Sequence, residues 1–457
     1  MKPLSLYQAA VMCHGTLLHT SSLSPITSVV IDSRFVVHGS LFVALEGERV
    51  DGHDFISSAF ALGAVGALID EKHLFKVKHL LNKQEYALIV VKDTLVALQQ
   101  LAHAYAQQFS HVKKVGITGS CGKTTTKEML YSIMNLVAPT AKTPGNYNSL
   151  IGYSLSLFEL DDTKEFGIFE MGVDHQGDMD DLLRLNSPDV ALLTNIGLSH
   201  IGSFGDVRVT FQEKSNIFHP LIEQIFIHEQ NPFTSLVDQT HPTYTTTYGP
   251  LNQVGIDYIT SMEMRGYTIS YKKKKFHLKA IGEHNLQNMY AAVAVARYLG
   301  ASESDIVDGL EQFNPIEGRS RLTHGPITLI EDWYNSSVDS TRHILKSMTN
   351  QKHHTRTVAL LGSMKELGDS TETSHRYIAQ QLLKNNIDSV MLYGSEMESA
   401  YDELKKSGFS NRYFYTDDYD HLEHHVQQEL RTGDLVLVKG SRAMNMERLV
   451  PVVQAMM

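Results

Sequence analysis

The chain has 457 residues, 42% of them apolar, and a formal net charge of −11. That length predicts about three domains of ~150 residues each, with enough apolar content to build a core in every one. The acidic balance argues against nucleic-acid binding, which needs a basic face, and no apolar stretch approaches the ~20 residues of a membrane-spanning helix.

Read in order, residues 1–91 mix short strands and helices. Strands are predicted over 42–45, 66–69 and 86–91, with a helix over 55–62. The first residues make a poor signal peptide, because Tyr7 and Gln8 interrupt the apolar positions. Of the two cysteines, Cys13 and Cys121, the second lies in a glycine loop. A structural disulfide is therefore not expected, and a cytoplasmic location is. Helical spacing of Leu95, Leu98, Leu101 and Tyr105 predicts a helix over 94–109 that leads into a second domain, 92–316.

The second domain opens on the most informative segment, Lys113–Thr126. An apolar run ends in Gly119-Ser120-Cys121-Gly122-Lys123-Thr124-Thr125, and a helical pattern follows over 127–137. A strand, a glycine loop and a helix in this order form a phosphate cradle. Glycines let backbone N–H groups approach an anion, and the helix N-terminus adds positive potential. Lys123 can reach the outer phosphates, and Thr124 can offer its hydroxyl to Mg²⁺. The usual longer spacing would put a further glycine at Ile117, so the loop is a shortened variant. ATP is the expected cofactor.

Strands over 115–118, 166–171 and 190–196 with helices between them predict a mostly parallel sheet. Ligands collect beyond the carboxyl ends of such strands, where Glu170 and Asn195 fall. Glu170 can hold Mg²⁺ or cap the next helix. His200, in a glycine-punctuated loop, is a metal or phosphate candidate. Residues 225–280 read as β-rich, and the Lys272–Lys275 run reads as a solvated hairpin edge. A helix is predicted over 281–299. Its Asn285 and Asn288 share a face and either cap the helix or offer amide edges to a base.

Pro315, Gly318, Gly325 and Pro326 mark the start of a third domain, 317–457. Strands over 327–331, 358–361, 389–393 and 435–438 alternate with helices such as 374–383. They predict a second doubly wound sheet with Glu331–Asn335 and Lys439–Arg442 at strand ends. The fold class is therefore α/β in three domains.

These pieces resemble the Mur ligase family, the ATP-dependent amide-forming enzymes of peptidoglycan precursor synthesis. The resemblance covers nearly the whole chain. It is carried by Asp32-Ser33-Arg34, Gly39–Leu45, Asp51–Ile56, Thr143–Gly152 and Glu170-Met171-Gly172. In the last domain, Lys365–Gly368 with His375 downstream and Val438–Arg442 carry it. Within the family it points to the branch that joins D-alanyl-D-alanine to UDP-N-acetylmuramoyl-tripeptide. It implies a uridine-nucleotide-binding first domain, a central ATPase domain and a Rossmann-like third domain in a monomer.

The resemblance also implies roles. Ser33 and Arg34 would bind the uridine diphosphate end, and Asn146 and Asn148 would contact substrate. Glu170 and Thr124 would hold one Mg²⁺ and His200 a second. Lys214 falls where the family carries a carbamylated lysine, an anionic oxygen ligand suited to a hard cation. Nothing in composition alone selects Lys214. Asn285 and Asn288 would face adenine, Arg319 the phosphates, and Asp332 with Asn335 the nucleotide across a domain interface. Two departures stand out. Asp332–Val338 lacks the second asparagine and the proline of the usual Asp-Ser-Tyr-Asn-Ala-Asn-Pro, and Ser363 replaces an aspartate.

Overall fold

The computed structural model describes residues 1–18, 24–81, 86–197, 201–252, 255–349 and 354–457. The first sheet has five strands, in the order Thr16–Leu18, Leu88–Val91, Gly66–Asp70, Ser40–Val43 and Ser28–Val30. Its first pair is antiparallel and the others are parallel. Ser40–Val43, Gly66–Asp70 and Leu88–Val91 are buried throughout, as strands covered on both faces must be. The strand expected at 42–45 starts two residues earlier, where Ser40 is buried and shares a 2.8 Å hydrogen bond with Ser28.

Asp93 caps the helix Thr94–Ala106 by accepting the Val96 N–H at 2.9 Å. This helix does not belong to the second unit alone. Leu98, Leu101 and Tyr105 pack in one continuous core with Leu41 and Ile89 of the first sheet and Phe169 and Leu193 of the second.

The second sheet has six strands, all parallel, in the order Thr245–Tyr248, Gln224–His228, Val190–Leu193, Lys113–Thr118, Phe166–Glu170 and Thr140–Lys142. Its other face packs on the helices Lys123–Val137, Glu283–Tyr298 and Glu303–Gln312 through Ile117, Ile168, Leu192, Ile133, Met289 and Leu310. The phosphate-loop strand lies between the strands that end at Glu170 and Leu193. Three carboxyl ends therefore meet at one place.

Residues 225–280 are β-rich, as expected, but their strands divide between two sheets. Gln224–His228 and Thr245–Tyr248 extend the parallel sheet across an intervening helix, Thr234–Thr240. Only Ile256–Ser261, Tyr267–Tyr271 and Lys274–Leu278 form a separate antiparallel sheet. The lysine run lies at a solvated hairpin edge, as expected: Lys272 and Lys273 make the turn, and Lys274 and Lys275 open the exposed start of the edge strand. Lys272 and Lys273 take φ of 45° and 68°, the sign that a tight two-residue turn requires, and Lys272 pairs with Glu303.

The third sheet has six strands, in the order Arg321–Thr323, Thr328–Glu331, Asp434–Lys439, Arg356–Gly362, Ser389–Tyr393 and Arg412–Thr416. Only the first pair is antiparallel. Asp434–Lys439 is its central strand and is buried throughout, so Lys439 emerges beside Asp332 at a shared carboxyl edge. No described helix is long and apolar enough to cross a membrane.

Candidate active site

Lys113–Thr118 runs into a loop whose two glycines are sterically required. At Gly119, φ is +141° and an added Cβ would lie 2.0 Å from the Thr194 hydroxyl oxygen. At Gly122, φ is +83° and a Cβ would lie 2.3 Å from Asn288 Oδ1. Ile117 is a fully buried strand residue, which is why the loop opens only at Gly119. The neighbouring strand end clamps the loop. The Ser120 N–H donates to the Asn195 carbonyl at 2.9 Å and the Cys121 N–H to Asn195 Oδ1 at 2.7 Å. The Thr194 hydroxyl donates to the Cys121 carbonyl at 2.6 Å.

Lys123 opens the helix and turns its Nζ back onto the Gly119 carbonyl, at 2.6 Å. Desolvation lowers its pKa. The Thr124 hydroxyl donates to Glu170 Oε2 at 3.0 Å, and Asn148 Nδ2 donates to the same oxygen at 3.5 Å. Glu170 is fully buried; its Oε1 takes no hydrogen bond and faces Lys127 Nζ at 3.2 Å. A threonine hydroxyl and a buried carboxylate are hard oxygen donors and fit Mg²⁺. Glu170 does not cap the following helix, Asp178–Leu185, which begins after Gly177.

The helix Val207–Ser215 buries Lys214 to 1% exposure, with Nζ 3.5 Å from the Val173 carbonyl and 5.9 Å from the centre of the Phe204 ring. Burial first, and the positive charge of Lys123 second, bring its pKa down to about 7. His200 lies outside the described residues.

A cavity of about 250 Å³ lies between the second and third sheets. Ser120 to Thr125 and Asn148 line it from one side with Asn285 and Asn288; Arg319, Asp332 and Asn335 line it from the other. Asn285 and Asn288 share a face, as expected, but neither caps its helix. Asn285 Nδ2 donates to the Ile281 carbonyl at 2.8 Å, and Asn288 Nδ2 donates to Asn285 Oδ1 at 2.9 Å.

Asp332 accepts the Ser320 N–H at 2.9 Å and Lys439 Nζ at 2.7 Å. Lys439 also donates to the Asn335 carbonyl at 2.9 Å, so one buried ammonium sets both residues. The Arg319 guanidinium lies 4.1 Å from the centre of the Tyr334 ring. Trp333, at one of the departures, packs against Gly318, and the Arg442 guanidinium lies 5.7 Å from its ring centre. His375 accepts the Met364 N–H at 3.0 Å and pairs with the Thr371 carbonyl, so it shapes the Lys365–Gly368 turn.

The remaining expected residues lie apart from this cavity. Ser33 and Arg34 occupy a turn of the first unit that Asp32 caps. Arg34 is exposed and grips Asp32 through Nε and a terminal nitrogen at 3.0 and 2.6 Å. Asn146 is exposed in the loop that carries Asn148. Gly119, Glu170 and Lys214 stand behind the cavity wall rather than in it.

Sequence reasoning missed His284. Its ring lines the cavity, stacks on His343 at 5.8 Å, and is pushed by burial to a pKa of about 4. It also missed Lys127, whose signal was its place four residues after Lys123 on one helix. Asp51, His53 and His73 bring ligand atoms within 4.8 Å of one another in the first unit. There, however, Lys76 already sits 2.6 Å from Asp51, and both His53 nitrogens are engaged, by Asp51 and by the Asp70 N–H. Asp51 and His53 are thus engaged in a structural network of their own.

Residues 25–106 match the description "Mur ligase family, catalytic domain", 117–296 "Mur ligase middle domain" and 318–442 "Mur ligase, glutamate ligase domain". The UDP-N-acetylmuramoyl-tripeptide–D-alanyl-D-alanine ligase of Bacillus subtilis is 33% identical over 455 residues, covering 96% of each chain. MurF of Acinetobacter baumannii superposes with a TM-score of 0.84 at 30% identity, covering 100% of this chain and 99% of that one. The ADP complex of MurF ligase from Thermotoga maritima gives a TM-score of 0.75 at 26% identity, covering 94% and 97%.

Proposed function

Because this chain belongs to the Mur ligase family, we propose that it joins D-alanyl-D-alanine to UDP-N-acetylmuramoyl-tripeptide, using ATP, in peptidoglycan precursor synthesis. The observation that carries this reading is the near end-to-end match to a relative whose name states that reaction. The phosphate loop facing a second domain across a cavity is the geometry such a ligase needs.

The peptide carboxylate attacks the γ-phosphorus of ATP, the bond to ADP breaks, and an acyl phosphate forms. The amine of D-alanyl-D-alanine then attacks the acyl carbon, loses a proton, and phosphate leaves. Backbone N–H groups at the end of the loop, from Gly122 to Thr125, hold the nucleotide phosphates while Asn195 keeps the Ser120 and Cys121 N–H groups and so sets the loop's shape, and Lys123 leaves the Gly119 carbonyl to follow the transferring phosphoryl group. Asn285 and Asn288 face the adenine, Arg319 the phosphates, and Asp332 and Asn335 the rest of the nucleotide. Ser33 and Arg34 bind the uridine diphosphate in a first domain spanning 1–91. Asn146 and Asn148 contact substrate from the central domain, 92–316. The third domain, 317–457, closes over both.

Thr124 and Glu170 would hold one Mg²⁺, and His200 with Lys214 a second; such ions neutralise charge on phosphoryl oxygens. The near-neutral pKa of Lys214 supports carbamylation, since only the uncharged amine adds CO₂. The enzyme acts as a cytoplasmic monomer. Phosphate release tests the reading. It should require ATP, UDP-N-acetylmuramoyl-tripeptide and D-alanyl-D-alanine together. Release that is indifferent to either acceptor would refute it.

A further inference from the structure

Lys127 lies one helical turn beyond the phosphate loop, and no step of the reaction above uses it. Its side chain is fully buried. Its Nζ stands among four oxygens: the Thr143 and Gly145 carbonyls, each at 2.8 Å, Glu128 Oε1 at 3.0 Å and Glu170 Oε1 at 3.2 Å. Two carbonyls and two carboxylates are the ligand types a hard cation takes, and here an ammonium occupies their centre. Glu170 is divided between two tasks: one oxygen faces Lys127 and the other accepts the Thr124 hydroxyl.

The charges balance. Glu128 also pairs with Lys142, whose Nζ lies 4.0 Å from the Tyr131 ring centre. Two carboxylates and two ammonium groups leave no net charge to draw in a free divalent ion. The two carbonyl contacts keep Lys127 from swinging aside, and they also tie the Thr143–Asn148 loop to the phosphate-loop helix.

We propose that Lys127 is a resident counter-cation for Glu170, a positioning residue that keeps free divalent metal off this carboxylate until nucleotide phosphates bring the ion with them. The inference rests on the metal assignment in the proposed function and not on the identity of the acceptor.

The test is Mn²⁺ binding to the nucleotide-free full chain, followed by electron paramagnetic resonance. Lys127→Met should tighten the Mn²⁺ dissociation constant at least ~10-fold, because a unit charge about 5 Å from a divalent ion outweighs that factor at an effective dielectric near 20. The gain should vanish in Lys127→Met/Glu170→Gln. Thermal unfolding checks that the variants are folded. If Lys127→Met is not, Lys127→Gln keeps a donor for the two carbonyls and is read the same way. Unchanged or weaker Mn²⁺ binding in a folded variant overturns the proposal. Failure of the wild type to ligate would instead overturn the reaction, and it leaves this measurement standing.

Discussion

Three basic residues illustrate what position does to the same kind of charge. Lys123 bends back onto its own loop, so the charge that the loop itself places to track a γ-phosphoryl group is held in reserve by one carbonyl. Lys123→Ala should lower ATP turnover by at least ~10²-fold, the scale of losing one transition-state donor. Phosphate release by the folded variant checks this. Lys214 titrates near pH 7 because burial and Lys123 both oppose its charge. Its folded pKa lies below its unfolded value, so the unfolded chain binds more protons between about pH 7 and about pH 10. The stability of the unmodified chain therefore rises with pH across that window and carries the full penalty below it. Carbamylation follows the same sign. Activity should fall as pH drops from about 8 to about 6, fall further when CO₂ is stripped, and return with bicarbonate at the higher pH. A rate indifferent to CO₂ at every pH would exclude the carbamate. Arg34 is exposed and, among the described residues, bonded only to Asp32. Arg34→Ala should raise KM for the UDP-linked substrate several-fold more than KM for ATP, since a fixed guanidinium suits an anionic diphosphate. Equal rises in both constants would detach the first domain from that substrate.

At the level of elements, the helix carrying the phosphate loop is held down by a second helix, Glu303–Gln312, at very short range. A Cβ on Gly309 would lie 2.5 Å from Ile133 Cα, backbone against backbone. Gly309→Ala should therefore cost about 1–3 kcal/mol, as overpacking does, despite alanine's better helix propensity. Urea denaturation reads this directly. That contact also marks where the sequence stops being legible. The phosphate loop was readable because its strand, glycines and helix are contiguous, and each obeys a local rule. The parallel strands were readable as apolar runs. Strand edges shifted by a residue or two where a polar residue such as Ser40 is buried by its neighbour strand. Thr245–Tyr248 fell in a stretch that read as β-rich, but its place in the parallel sheet was hidden because its pairing with Gln224–His228 crosses an intervening helix. Lys127 was hidden for a sharper reason. A lysine inside a helix normally faces water, and only the fold brings Thr143, Gly145 and Glu170 around it. Lys439 looked like a strand-end residue, but its bonds to Asp332 and Asn335 depend on a pairing 107 residues away in sequence.

Across the whole molecule, the candidate site is complete only where two sheets face each other. The loop from Ser120 to Thr125 comes from one, and Arg319, Asp332 and Asn335 come from beyond the other's edge. In the proposed reaction, closing that gap would bring three reactants together, which is worth far more than any single contact. The first unit, the proposed UDP-binding end, shares a continuous core with the second through the helix Thr94–Ala106 and so packs directly on the unit that carries the phosphate loop. We propose that acceptor choice depends on the Lys365–Gly368 segment of the third unit, where Lys365 pairs with Glu396 and the neighbouring Ser363 is fully buried. A pocket with polar groups set for the second residue of a dipeptide leaves them unpaired when a single amino acid binds, and that discriminates strongly. The most direct test is mass-spectrometric analysis of products. D-alanyl-D-alanine, diaminopimelate, L-lysine and L-glutamate are offered separately with ATP and with UDP-muramoyl dipeptide or tripeptide. One product is expected, the tripeptide extended by D-alanyl-D-alanine. A single amino acid added to the dipeptide, with no D-alanyl-D-alanine product, would contradict the account.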